Sequence, residues 1–393
     1  CAKESTLKDR AGNDPKQRFT GPGFLAERAA EAILSETARL KLGRRNPLVR
    51  RKADLYARGG LLMKPGFSRF INLFSVIVAL FVALAATAEA GPNARKAKIK
   101  VVSYNLYLGA SIFRVFDPPA CGAAQAVYDI HSIIQQTDFP ARAKAIADQI
   151  AMQEPHVVAL QEVTLLRTGP ADSLTPSGIE WLDEDSCTSP PCFTFKTNAE
   201  DVSFDYLQIL QDALASRGLY FKVAHDASPD NADVEFPAIN FSFDGVSCAP
   251  ASVPIDVRLT DRDVVLVRED LEINDQARGN FQINLPIELP TVLATPGGPL
   301  HATYVAEFTR SWGSVNLTVK DNDFSVLNTH LEVGDSLAPP DHPLNLIQGA
   351  QALEAFDVFS LLPIPALFAG DINSSPDSGL TDPRPAYYIL TGP

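Results

Sequence analysis

The chain reads as an α/β protein, and three observations carry that reading. An apolar run from Ile99 to Tyr104, a helical stripe and a second apolar run from Val157 to Leu160 follow one another as strand, helix, strand. A later helical stretch, Leu344 to Phe359, leads straight into the short apolar run Ala366-Leu-Phe-Ala-Gly370. Finally, four apolar strands end in polar side chains: Asn105, Glu162, Asn328 with His330, and Asp371 with Asn373.

Composition bounds the organisation. The 393 residues are 46% hydrophobic and 21% charged with 30 prolines, enough for one large domain or two small ones. The first methionine is Met63. It opens Met-Lys-Pro-Gly-Phe-Ser-Arg, an apolar run from Phe70 to Ala86, and Ala88-Glu89-Ala90. A basic start, an apolar core and a small-x-small end predict a secretory signal peptide over 63–90, cleaved after Ala90. The competing reading is an uncleaved anchor holding the domain outside, but the run is short for a span and contains Asn72 and Ser75. Either way the rest is exported, secreted or periplasmic, with no transmembrane span in the mature form. Residues 1–62 hold 14 Lys+Arg against 7 Asp+Glu, and the remainder holds 20 against 40. That break marks 1–62 as a non-native or disordered upstream segment and 91–393 as the functional domain. The acidity of the domain disfavours passive binding to nucleic acid, though not a nuclease that works through bound cations.

Beyond the signal lie Cys121, Cys187, Cys192 and Cys248. An even number in an exported chain predicts disulfides, with three possible connectivities. Cys187 and Cys192 bracket Thr-Ser-Pro-Pro, which favours a local bridge. A zinc site is the alternative, but no second close pair and no neighbouring His supports it.

Along the domain, Phe139-Pro140 opens a helix with the stripe Ala143, Ile146, Ala147, Ile150, and Pro155 stops it. The stretch before it reads as a loop. Residues 168–203 are polar and read as a long surface insertion. A second helix follows in Phe204–Leu219 (Leu207, Ile209, Leu210, Leu214), then a short strand at Tyr220–Ala224. Residues 226–233 are turn-rich. Ile239–Phe243 and Asp263–Val267 are strands, and Leu285–Leu300 is a proline-rich loop or hairpin. Val305–Thr309 and Val315–Val319 are expected to pair, and Asp321-Asn322-Asp323 to turn into Phe324–Leu327.

The strand ends carry the chemistry. Period-two alternation puts Phe324, Val326, Asn328 and His330 on one face, and Asp371 and Asn373 on another. Each alone is an ordinary strand terminus. Together they supply the parts of metal-assisted phosphoryl transfer. A carboxylate holds a hard cation, which stabilises developing charge on a phosphoryl oxygen. Amides donate to the remaining oxygens, and a His supplies a proton or binds phosphate. Arg258, Arg262, Arg268, Arg278 and Arg310 are the mid-chain cations available to meet phosphate.

The chain resembles the endonuclease/exonuclease/phosphatase superfamily, of the deoxyribonuclease-I-like fold. Val-Val-Ser-Tyr-Asn105-Leu looks like its first strand and Val-Val-Ala-Leu-Gln-Glu162-Val like its metal motif. Val-Leu-Asn328-Thr-His330-Leu looks like its histidine motif and Gly370-Asp371-Ile-Asn373 like its central motif. Four motifs in order are far more specific than any one. The resemblance implies a four-layer α/β sandwich, two packed mixed β-sheets flanked by helices. It implies Glu162 as the principal Mg²⁺ ligand (Mn²⁺ as substitute) with Asn105 near the same metal. Asp371, Asn373 and His330 would be catalytic, and Asn328 with Asn373 would bind phosphate. The implied substrate is a phosphoester: DNA, a lipid headgroup or a small molecule. No stable protein partner is implied.

The family's final Ser-Asp-His-like motif has no counterpart after Tyr387-Tyr-Ile-Leu. The polypeptide is therefore expected to be a C-terminally truncated fragment, inactive or nearly so alone. The alternative is a non-catalytic exported binding domain on the same scaffold.

Overall fold

The computed structural model describes residues 98–224, 230–295, 298–334, 342–363, 365–375 and 386–391. The upstream segment and the signal peptide expected at 63–90 lie outside the described residues. In chain order the elements begin with β1 (Val101–Asn105), α1 (Ala123–Gln136), α2 (Phe139–Gln153), β2 (Val157–Gln161) and β3 (Leu165–Pro170). Next come β4 (Ile179–Trp181), β5 (Cys192–Phe195), β6 (Asp201–Asp205), α3 (Tyr206–Ala215), β7 (Phe221–Val223) and β8 (Asp230–Ala238). Then follow β9 (Phe241–Phe243), β10 (Cys248–Pro250), β11 (Ile255–Arg262), β12 (Val264–Arg268), β13 (Ile273–Asn280), β14 (Leu285–Thr295) and β15 (Gly298–Phe308). The last are β16 (Ser311–Val319), β17 (Asn322–His330), α4 (Pro343–Ser360), β18 (Ala366–Asp371) and α5 (Ala386–Thr391).

Two mixed sheets, ordered β1-β2-β12-β7 and β13-β16-β17-β18, pack face to face. Val157, Ala159, Val265 and Val267 of the first meet Val315, Leu317, Phe324 and Val326 of the second in one buried layer. The alternate residues of the first sheet, Val158, Leu160, Val264 and Leu266, face outward onto α2 and α3. Because β2 is buried on both faces it is apolar throughout, as its sequence requires. On the far side, α4 and α5 cover the second sheet through Ala352, Ala355 and Ala386. Helices, sheet, sheet, helices make the four-layer α/β sandwich.

A third sheet, β6-β3-β11-β8, extends from one end of the sandwich. Helix α1 packs on it through Val127, Ile130 and Ile134 against Leu166, Val257 and Leu259. The loop expected before α2 thus contains a helix; its four-residue spacing Ala126, Ile130, Ile134 is the signal. The insertion over 168–203 is also more than a surface loop, since β5 buries Cys192 and Phe193 completely. Of the turn-rich stretch, Asp230 to Asp233 belong to β8.

One pairing and one turn differ from expectation. Residues 285–300 do form a hairpin, but β15 pairs with β14, with Val305 opposite Glu288, and not with β16. Thr309 and Arg310 turn a corner between sheets, held by bonds from Phe281 N to Arg310 O (2.9 Å) and Arg310 N to Asn284 Oδ1 (3.0 Å). The turn into β17 falls on Lys320 and Asp321, with φ of +50° and +62°, the primed geometry that suits a two-residue hairpin.

Both disulfides form: Cys187–Cys192, as the spacing favours, and Cys121–Cys248 across 127 residues. Cys121, Cys187, Cys192 and Cys248 are thereby all taken, which removes the zinc alternative. Among the described residues no helix is long and apolar enough to cross a membrane.

Candidate active site

The ends of β1, β2, β17 and β18 meet at one rim of the sandwich. β1 runs parallel to β2 with Asn105 opposite Gln161, and β17 runs parallel to β18 with His330 opposite Asp371. The close approach of β18 to β17 needs Gly370, whose φ is +135° and whose added Cβ would stand 2.1 Å from Thr329 O.

Glu162 directly follows β2 with a left-handed φ of +55°. Its Oε1 accepts from Asn105 Nδ2 at 2.8 Å and its Oε2 from Leu108 N at 2.6 Å. The loop carrying Leu108 is held from behind. Tyr206 Oη donates to Leu108 O at 2.9 Å, and the Arg142 guanidinium donates to the carbonyls of Leu106 and Tyr107. Tyr107 and Asn373 also have positive φ, +58° and +46°. Such conformations persist in non-glycine residues only where the surroundings enforce them, and here three gather at one rim.

The Asn105 amide also donates to Asp371 Oδ2 at 3.0 Å, while its Oδ1 accepts from Tyr107 N at 2.8 Å. Asn105 is therefore an orienting amide between two carboxylates in this arrangement. Asp371 Oδ1 accepts from Asn373 N at 2.9 Å. Asn373 Nδ2 lies 3.0 Å from His330 Nε2 and donates to Leu331 O at 2.9 Å. Its amide thus fastens β18 to β17.

His330 is 3% exposed. Burial, and then the Arg310 cation 3.3 Å from Nδ1, hold it well below the usual histidine range. Its ring is neutral and acts as a post for Asn373. Arg310 forks onto Glu332 at 3.2 and 3.3 Å and stands 3.6 Å from Asp261. Burial opposes its charge, but Glu332, Asp261 and Asp263 outweigh that and raise it above the ordinary value. Burial pushes Asp261 up to about 6, with Arg310 opposing the rise and Glu162 adding to it. Asp263 is raised as well, by burial and then by Asp261.

Asn328 does not reach this rim. It is 1% exposed, donates to Leu160 O (3.0 Å) and Val264 O (3.3 Å), and accepts from Gln161 Nε2 (2.6 Å). Two residues short of the strand end, it ties the two sheets together inside the core. The expectation that it binds phosphate gives way to a structural role.

A cleft of about 210 Å³ opens over Glu162, Asp261, Arg310, His330 and Asn373. Ile112, Leu259 and Phe308 form a wall it shares with an adjoining apolar cavity of about 60 Å³. Asp261 and Arg310 are contributors that the strand-end pattern does not single out. The signal for Asp261 is Asp-Arg-Asp at the corner between β11 and β12, where alternation puts Asp261 and Asp263 on one side.

The donors suit a hard divalent cation. Glu162 and Asp371 are two carboxylates brought to one shared amide, which offsets less negative charge than they carry. Oxygen-only ligation of that kind is what a hard cation takes.

No family model matches the chain, and no curated protein matches it. Solved structures do. An endonuclease/exonuclease/phosphatase from Beutenbergia cavernae is similar at 16% identity over 74% of this chain, with a TM-score of 0.32. This chain spans 52% of that one, about half its length. A mannosyl-6-phosphatase from Bacteroides thetaiotaomicron is similar at 13% identity, covering 75% of this chain and 70% of that one, with a TM-score of 0.34. TDP2 from Caenorhabditis elegans is similar at 14% identity, covering 97% and 76%, with a TM-score of 0.32. At such scores these likenesses add no weight to the four motifs, on which the chain resembles the endonuclease/exonuclease/phosphatase superfamily.

Proposed function

We propose that the domain is an exported, Mg²⁺-dependent phosphoester hydrolase. The observation that carries this reading is the Asn105 amide joining Glu162 (2.8 Å) to Asp371 (3.0 Å), with Asn373 and His330 at the same rim. Glu162 and Asp371 would hold the cation, which when bound supplies charge neutralisation at a phosphoryl oxygen. Asn105 and Leu108 N orient the Glu162 carboxylate. Asn373 N fixes Asp371, leaving that carboxylate to position water. Arg310 places a permanent positive charge in the cleft floor for the phosphate. Neutral His330 positions Asn373 and is not charged to act as an acid near neutrality. The paired cysteines support an oxidising compartment outside the cytoplasm.

The apolar wall of Ile112, Leu259 and Phe308 favours a phosphoester with an apolar group over DNA, as does the net charge of −13.

The test is thermal unfolding with and without Mg²⁺ or Mn²⁺, alongside hydrolysis of chromogenic phosphodiesters and monoesters and plasmid nicking. The expected result is a cation-dependent rise in Tm that Glu162→Gln abolishes. No rise in Tm with either ion would sink the reading.

A further inference from the structure

We infer that Asp172, Glu235 and Asp256 form a second, structural cation site of the Ca²⁺ type. It does not depend on the function proposed above. Glu235 lies on β8 and Asp256 on β11. The register sets Glu235 opposite Arg258 and Asp256 opposite Pro237, so the two carboxylates are diagonal neighbours on one face. Asp172 comes from the segment just after β3. One ligand oxygen from each of the three lies within 4.8 Å of the other two.

How each carboxylate is used makes the cluster more than a patch of acid. Each spends one oxygen on the 168–203 insertion. Asp256 Oδ2 accepts from Ser173 N at 2.9 Å, and Asp172 Oδ2 accepts from Asn198 Nδ2 at 2.7 Å. Glu235 Oε2 accepts from Asn198 N at 2.8 Å and Ala199 N at 2.9 Å. The other oxygens, Asp172 Oδ1, Glu235 Oε1 and Asp256 Oδ1, are buried without a hydrogen-bond partner. Asp256 is 0% and Glu235 1% exposed, so bulk water does not serve those oxygens.

The cation opposite Glu235 in the register is already committed. Arg258 is bound to Asp233 at 2.7 Å and to Glu200 at 3.0 Å. Buried carboxylates crowded in this way are relieved by a shared proton or by a cation. Burial pushes both Asp256 and Glu235 upward, which marks the strain without choosing between the two. Backbone and side-chain N–H donors hold the bonded oxygens, which leaves one buried oxygen on each of the three carboxylates within reach of one ion. Oxygens on opposite sides of Ca²⁺ stand about 4.6–5.2 Å apart, and the donor set holds no nitrogen or sulfur.

The position separates this site from the cleft. Asp256 is five residues from Asp261 along β11, roughly 17 Å at strand rise, and alternation puts it on the opposite face. An ion there would clamp the insertion, with its Cys187–Cys192 loop, onto the third sheet.

The experiment is calorimetric titration of the chelator-treated full chain with CaCl₂ in the Glu162→Gln background, which removes the other proposed cation. One bound Ca²⁺ with a rise in Tm of several degrees is expected. Asp256→Asn should weaken that binding at least 100-fold. In case Asp256→Asn fails to fold, Asp172→Asn, on the looser segment, is the second variant and should weaken it at least tenfold. No Ca²⁺ binding in the Glu162→Gln chain overturns the inference in favour of a shared proton. Binding that survives both substitutions unchanged overturns it as well.

Discussion

Asn105 donates a 3.0 Å hydrogen bond to Asp371, joining residues 266 positions apart. The same amide reaches Glu162, so it holds two carboxylates that would otherwise repel each other.

Asn105→Ala therefore removes the contact that orients both carboxylates. Outer-shell losses of this kind cost about 10–100-fold in metal affinity or activity. The expected result is a drop of that size in apparent Mg²⁺ affinity, read from the concentration dependence of Tm. An unchanged Mg²⁺ curve would show that the amide does not organise the site.

Asn328→Ala should damage the fold and not the chemistry. It takes a donor from two carbonyls and an acceptor from the Gln161 amide inside the sandwich, and unpaired buried groups cost about 1–3 kcal/mol each. A loss of about 2–4 kcal/mol in urea unfolding is expected. Mg²⁺ binding by the folded fraction should stay within threefold. Weakened phosphate binding at full stability would restore the ligand role expected from sequence.

The two disulfides should differ in effect. Chain entropy gives about 5 kcal/mol for the Cys121–Cys248 closure and about 2 kcal/mol for Cys187–Cys192. Paired Cys→Ser replacements compared by denaturant midpoint check this order. Equal losses would mean the short bridge does more than close a loop.

His156 supplies a pH signature away from the rim. Burial, then the Arg268 charge, hold it below 6.5 in the folded state. The unfolded chain binds its proton first, so this group subtracts stability as pH falls below about 6.5 toward the lowered folded value. The raised Asp261, Asp263, Glu235 and Asp256 act in the opposite sense, so the readout is a difference. Between pH 7.5 and 5.5, His156→Gln should lose less Tm than the parent. Parallel curves would show that His156 titrates as it does in the unfolded chain.

Much of the rim is legible in the sequence because alternation and strand termination are local. They bring Asn105, Glu162, His330, Asp371 and Asn373 together correctly. Alternation tells which face a side chain takes, however, and not how deep it lies; Asn328 shares a face with His330 but sits one pleat repeat inside the core. Arg310 and Asp261 depend on corners between sheets, which no local pattern specifies. Helix α1 lacks a side-chain N-cap and follows Gly122, so only its four-residue apolar spacing could have marked it.

Glu162 hangs from one sheet of the sandwich and Asp371 from the other. The gap between them is therefore set by the thickness of the dry layer that holds Val157, Val265, Leu317, Phe324 and Val326. The rim acts as a gauge of that layer: thinning it by removing a core methylene would change the spacing of the two carboxylates without touching either. Affinity for the ion becomes a readout of how well two sheets fit, measured at a place neither set of core side chains reaches.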